Sequence, residues 1–309
     1  SGAATNELED QRTLLVDKLS GLADITVTED ENSSYKITIE GTTLVNGDSA
    51  KQLECYTVTD TASSAYGMYG IRWADSGVSF GSGDTGALNA YLQLRDGASA
   101  DNQGIPYYLN QLNEFARTFA KAFNEGVTSG STTYSGHAAG VGLNDTTDIR
   151  FFSYDSVSSA DFVASGSTLE EAYKNITAGN ISISLDIQND TDKIATASST
   201  GEDGNNEAIS DMIKICTSAN ISGNATVNDL YNKIVTAAAS AGSYAQTEYD
   251  RKDTLRTYLN TSRTSVSGVS SDEETVNLTT YTSAYAASAK MVSAWSEIYQ
   301  TTINMVNTD

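Results

Sequence analysis

The sequence predicts an α+β fold, a discontinuous, elongated helical-bundle domain with inserted β-rich segments. Three observations predict it. Apolar residues recur at helical spacing near both ends and in the middle of the chain. Between those segments they alternate with period 2. The closing stretch "SGVSSDEETVNLTTYTSAYAASAKMVSAWSEIYQTTINMV", residues 267–306, holds no glycine or proline after Gly268.

Taken in order, "TNELEDQRTLLVDKLSGL" (5–22) reads as an amphipathic helix, with Leu8, Leu15, Leu19 and Leu22 on one stripe. Thr5 or Asn6 can cap its first turn, where early N–H groups lack partners. From Ala23 the period changes. Ile25 and Val27, then Tyr35, Ile37 and Ile39, fall on single strand faces, and the polar "EDENSS" between them reads as a hairpin turn. Further strands are expected in Leu53–Val58 and Tyr69–Ala74, and the glycine-rich "GSGDTG" (81–86) reads as a turn. Helical spacing returns in 106–126, with Leu109, Leu112, Phe115, Ala116, Phe119 and Phe123 as the apolar face. Pro106, the only proline, suits a first helical turn, where its missing N–H costs little.

Residues 127–150, rich in Ser, Thr and Gly, read as loop, and "NISISLDIQ" (180–188) reads as a strand. "NNEAISDMIKICTSA" and "TVNDLYNKIVTAAASAG" read as two helices. Residues 243–268 and the closing stretch then make two long helical segments broken at Gly268. The implied organisation is a helical core domain from 1–22, 104–126 and 205–309, a β-rich insertion at 23–103, and a second, mostly β/loop insertion at 127–204. No repeat of 20–50 residues is visible.

The closing stretch carries the candidate site. Ser271 and Glu274 have capping-box spacing. After them Leu278, Tyr281, Tyr285, Ser288, Val292, Trp295, Tyr299, Thr302 and Val306 follow one another at spacings of 3 and 4, a heptad seam. Ala284, Ala287, Met291, Ala294 and Ile298 form a second stripe of mostly small residues beside it. Such a helix extends roughly 54 Å at about 1.5 Å per residue, more than a compact domain of this size needs. Leu278, Tyr281, Tyr285, Val292, Trp295, Tyr299 and Val306 are therefore the candidate helix-packing and assembly residues.

Composition excludes several function classes. Net charge is −22 at pH 7 with 18 Lys and Arg. Phosphate binding needs clustered cations, so neither nucleic acid nor an anionic membrane surface is an expected partner. No run of about 18 apolar residues occurs, so no membrane span is expected. The opening "SGAATNELEDQ" has no signal-peptide pattern and no initiator Met, and reads as the start of an excised piece. Cys55 and Cys216 lack metal or redox spacing. They could form one disulfide, and two buried free thiols is the preferred reading.

No catalytic, cofactor or metal residue is expected. His137, the only histidine, sits in "SGHAAG" without a nucleophile motif and reads as an exposed loop residue. No G-x-S-x-G, phosphate-loop or H-E-x-x-H pattern occurs. The carboxylates Glu29, Asp30 and Glu31, Asp145 and Asp148, and Asp190 and Asp192 lack Ca²⁺-loop spacing and read as solvated turns. In "GEDGNNE" (201–207), Asn205 or Asn206 reads as a helix cap.

Four stretches together resemble one family. They are "NELEDQRTLLVDKLSGLADITV" (6–27), "GALNAYLQLRD" (86–96), "LNEFARTFAKAFNEG" (112–126) and "VSGVSSDEETVNLTTYTSAYAASAK" (266–290). The chain resembles the flagellar hook-associated protein 1 family, the hook–filament junction proteins. The most specific match is the last, with Asp272, Glu273, Glu274, Asn277, Leu278, Tyr281, Ala284 and Tyr285 in place. Glu9 and Thr13 stand where the family has Leu and Asp, and between about 127 and 200 no motif is seen. The family's N-terminal helix is not in this sequence, which implies that this piece does not assemble properly by itself.

The resemblance implies a non-enzymatic axial subunit exported unfolded through the flagellar type III channel, extracellular and without cofactor. Its implied partners are hook protein subunits, the second junction protein, its own copies in a ring, and an export chaperone at the C-terminal helix. The N-terminal part of the closing helix would pack within the helical domain and its far end in the axial tube. Hook protein or flagellin itself is a nearby alternative, against which the "DQR" helix and "SGVSSDEE" speak. A cell-surface adhesin or carbohydrate-binding module is the rival from another class. Exposed Tyr residues clustered with Trp73 on one β face would support it, and buried ones would not.

Overall fold

In a computed structural model the backbone is described for residues 5–31, 34–61, 63, 65–81, 83–202 and 204–306; side chains at 5, 6, 144, 267, 305 and 306 fall outside the description. The Thr5 or Asn6 cap thus lies outside the described residues. In chain order the elements begin with α1 (Thr5–Leu22), β1 (Ile25–Glu29), β2 (Tyr35–Ile39), β3 (Thr42–Asn46), β4 (Ser49–Ala50), β5 (Leu53–Thr57) and β6 (Tyr69–Trp73). Then come α2 (Ala87–Asp96), α3 (Ile105–Glu125), β7 (Gly126–Ser129), β8 (Thr132–Ser135), β9 (Phe152–Tyr154), α4 (Ser159–Ala164) and α5 (Leu169–Lys174). The chain closes with β10 (Ile181–Ile183), α6 (Leu185–Asn189), α7 (Glu207–Thr217), α8 (Val227–Ser267) and α9 (Ser271–Val306). This is the expected α+β class, helices with small antiparallel sheets.

The chain divides into two units, residues 1–238 and 239–309. In the first unit β1 to β4 form an antiparallel meander, and β5–β6, β7–β8 and β9–β10 pair as separate two-stranded ribbons. The β2–β3 turn places Glu40 at φ 46° and Gly41 at φ 74°, the left-handed pair that lets a two-residue hairpin follow the strand twist. Ile37 and Ile39 are buried, as their alternation predicts.

Helix α3 organises the rest of this unit. Gly104 precedes it and Pro106 lies in its first turn. Its alanines Ala116 and Ala120 let Phe162, Ala172, Tyr173 and Ile176 approach closely, forming one core cluster. Ala122 joins Ile215 and Ile221 in another. Phe115, Phe119 and Phe123 stack along its length, and Phe123 meets Phe151 and Phe152 at 5.3 and 5.1 Å. Asn124, fully buried, donates to the Phe152 carbonyl at 2.8 Å and accepts the Phe152 N–H at 2.9 Å. It supplies the hydrogen bonds that a neighbouring strand would give to β9.

Several expectations need correction. Residues 127–150 are not all loop. Val127, Thr128, Thr132 and Thr133 build the β7–β8 hairpin around Gly130 at φ 64°, and two one-turn 3₁₀ helices follow, His137–Ala139 and Leu143–Asp145. The strand expected over 180–188 stops at Ile183, where Ser184 opens α6. The apolar alternation continues into α6, so period alone hides the change. Cys55 and Cys216 are both free, and Cys55 is exposed on the β5–β6 ribbon rather than buried. Cys216 is half-buried, which pushes its thiol pKa up.

The separate helices expected on either side of Gly242 are one helix of 41 residues, α8. Thr226 and Asp229 cap it reciprocally. The Thr226 hydroxyl accepts the Asp229 N–H at 3.2 Å, and the Asp229 carboxylate accepts the Thr226 N–H at 3.0 Å. Hydrogen bonds from the Thr226 hydroxyl and backbone hold the Asp229 carboxyl below its usual range. A Cβ at Gly242 would meet nothing within 4 Å. Gly242→Ala is therefore expected to stabilise α8 by about 0.5–1 kcal/mol, read as a higher melting temperature in far-ultraviolet circular dichroism.

Candidate assembly surface

The closing helix starts one residue earlier than its capping box suggested. Ser270, not Ser271, is the cap: its hydroxyl accepts the Glu273 N–H at 3.3 Å and its carbonyl accepts the Glu274 N–H at 2.9 Å. Both serines have an acid three residues on, so the spacing alone does not choose between them. Asp272, Glu273 and Glu274 fill the first turn, where negative charge suits the helix dipole. The helix then runs for 36 residues without a break. Thr275, Thr279, Thr280, Thr282, Thr301 and Thr302 each donate their hydroxyl to the carbonyl four residues back. Those polar groups are satisfied inside the helix.

Every described side chain of α9 is exposed. Leu278, Tyr281, Tyr285, Val292, Trp295 and Tyr299 share one face by their spacing, and their exposure runs from 58% at Trp295 to 78% at Tyr285. Val306 ends the helix, and its side chain lies outside the described residues. Met291 and Ile298, on the adjoining stripe of small residues, are exposed as well.

Reading the sequence missed a second exposed stripe. On α8, Tyr244, Leu255, Tyr258, Leu259 and Val266 are also exposed. The spacing of 3 and 4 from Leu255 to Leu259 could have revealed it. In that segment Arg251 pairs with Glu248 and Arg256 with Asp253, each at 2.6 Å. In the first unit, α1 and the meander leave an apolar groove of about 620 Å³ between them, lined by Leu8, Leu15, Val16, Leu19, Tyr35 and Ile37. Arg12 lies over the Tyr35 ring at 3.7 Å.

His137, expected on an exposed loop, is buried, with both ring nitrogens bonded to backbone. Of the two expected cap residues, Asn206 holds the cap position of α7 without a side-chain cap bond, and Asn205 before it accepts the Glu207 N–H at 2.9 Å. Among the described residues no group of three or more His, Cys, Asp or Glu side chains is placed to hold a metal ion. No described helix is long and apolar enough to cross a membrane. Trp73 is 4% exposed and packs edge-on against Phe80 at 5.6 Å. The aromatic face that an adhesin would need is therefore not formed around it.

Comparison with known proteins adds to this geometry. Residues 1–152 match the family model described as "Flagellar hook-associated protein FlgK helical domain". Residues 261–305 match "Flagellar basal body rod FlgEFG protein C-terminal". Flagellar hook-associated protein 1 of Bacillus subtilis (strain 168) is 28% identical over 98% of this chain and 59% of its own length. The protein of that name from Escherichia coli (strain K12) is 24% identical over 99% of this chain and 65% of its own. That from Salmonella typhimurium is 23% identical over 99% and 66%. The chain thus spans less than two thirds of the length of these curated relatives.

Proposed function

The chain belongs to the flagellar hook-associated protein 1 family, and from that premise we propose that it is an axial structural subunit joining the bacterial flagellar hook to the filament. One observation carries the proposal: a 36-residue helix whose described apolar side chains are all exposed. A monomer has no use for such a surface, and a polymer subunit does. Heterologous contacts that do not close generate helical assemblies, and a junction needs two different contact faces. The seam of Leu278, Tyr281, Tyr285, Val292, Trp295, Tyr299 and Val306, with the small-residue stripe beside it, offers α9 more than one neighbour.

In this reading the partners are hook subunits on one side, the second junction protein on the other, and copies of the chain in a ring. A dedicated export chaperone shields the C-terminal helix before the subunit leaves through the flagellar channel to its extracellular place. Segments 1–22, 104–126 and 205–309 are assigned to the helical body of the subunit, and 23–103 and 127–204 to its β-containing insertions. No enzymatic step is part of the proposal. Deleting the full-length gene in the source bacterium tests it: electron microscopy is expected to show bare hooks, with flagellin released into the medium. Normal filaments and motility would reject the junction role.

A further inference from the structure

His137 is the one histidine of the chain and is 1% exposed. Its Nδ1 lies 2.6 Å from the Ile149 carbonyl oxygen, and its Nε2 lies 3.0 Å from the Ala195 backbone nitrogen. A carbonyl only accepts and a backbone N–H only donates. The ring is therefore neutral, with its proton on Nδ1 and its lone pair on Nε2. The Phe151 ring stands 5.4 Å away.

The segment that Nε2 holds is small and fits closely. Ala195 is 1% exposed. Beside it Val141 donates to the Ala197 carbonyl at 2.8 Å and accepts from Thr196 at 3.0 Å and Ala197 at 3.1 Å. A Cβ at Gly140 would come within 2.8 Å of the Ala195 Cβ and 2.9 Å of the Ala208 Cβ, so only glycine lets these strips meet.

The charged groups around this layer are engaged elsewhere. Asp148 and Arg150 flank Ile149 and bond to each other, and Arg150 also bonds Glu125 at the end of α3. On α7, Glu207 accepts the Ser198 hydroxyl, and Asp211 accepts the Ser135 N–H and pairs with Lys214. Before Ala195, Lys193 pairs with Asp186, and Asp190 accepts the Asp192 N–H. Among the described residues none of these groups is bonded to the imidazole.

We propose that His137 is an acid-sensitive latch: a proton taken up at Nε2 breaks the Ala195 hydrogen bond and frees residues 194–197 from 137–142 while the rest of the unit stays folded. In the closed form a proton on Nε2 would point at the Ala195 N–H, donor against donor. The open form has no such conflict and takes the proton from solvent. Burial pushes the closed ring's pKa down, only partly offset by the Ile149 carbonyl. Opening is therefore favoured as pH falls through the free imidazole value of about 6.5, by up to about tenfold per pH unit. At higher pH both forms are neutral and the latch stays shut.

Amide hydrogen exchange of the full chain, followed by NMR from about pH 8 to about pH 5, tests this. After correction for intrinsic exchange, Ala195 protection is expected to fall at least about tenfold while the Phe152 amide, held by Asn124, keeps its protection. In His137→Gln, which cannot titrate, that fall is expected to vanish. Constant Ala195 protection over this range would overturn the latch. So would parallel loss at Ala195 and Phe152, or an unchanged pH response in His137→Gln. If that variant fails to fold, the wild-type comparison of the two amides decides alone.

Discussion

Tyr285→Asp is expected to leave the isolated chain as stable as before and, placed in the full-length protein, to abolish incorporation into flagella. In the free chain Tyr285 is 78% exposed, so its removal costs only the small difference in helix propensity, a few tenths of a kcal/mol. In an assembly that covers the seam, the same position would bury a carboxylate among apolar side chains. Without a partner that costs several kcal/mol, and about 4 kcal/mol is a factor of roughly a thousand in association. Tyr285→Phe keeps the ring and should assemble normally. Matched melting curves with loss of the Asp variant from purified flagella would support the seam. Normal incorporation of Tyr285→Asp would remove Tyr285 from it.

The second large effect is expected inside the first unit. Glu125 closes α3 and accepts from Arg150 Nε at 2.9 Å, Arg150 Nη2 at 3.3 Å and the Tyr173 hydroxyl at 2.7 Å. Burial alone would push the Arg150 pKa down; Glu125 and Asp148 together outweigh it and hold it above its ordinary value. Burial, and then the Glu125 charge, raise the Tyr173 pKa, so that hydroxyl stays protonated as a donor. Glu125→Ala would leave a buried guanidinium with Asp148 as its remaining carboxylate. The expected cost is about 3 kcal/mol, seen as a lower urea midpoint at unchanged slope. Glu125→Gln retains an acceptor and should cost less. A change under about 0.5 kcal/mol for Glu125→Ala would show that Asp148 and solvent suffice.

These two sites differ in how legible they were in the sequence. The α9 stripe, the proposed seam, is legible as a pattern because one helix period carries it: Leu278, Tyr281 and Tyr285 need no knowledge of what lies opposite. The C-terminal end of α1, the ends of α3 and the pairing of β1 with β2 were readable for the same reason, since local pattern decides them. The Glu125 network was not, because its partners lie 25 and 48 residues away. Much of 127–204 behaves likewise. Its elements are short and are tied by bonds such as Asp186 to the Ser159 N–H and Asn113 to the Ala178 N–H, which no period announces. Gly242 misled in the opposite direction: a glycine with open space around it weakens a helix without ending it. The burial of His137 depended on a contact 58 residues away, again beyond any local signal.

Position in the flagellum tests the junction role most directly. Immunogold electron microscopy of intact flagella from the source bacterium, with antibody raised against the first unit, would show where the protein sits. A single zone of label at the boundary between hook and filament is the predicted result. Label along the filament, along the hook or over the cell surface would contradict it.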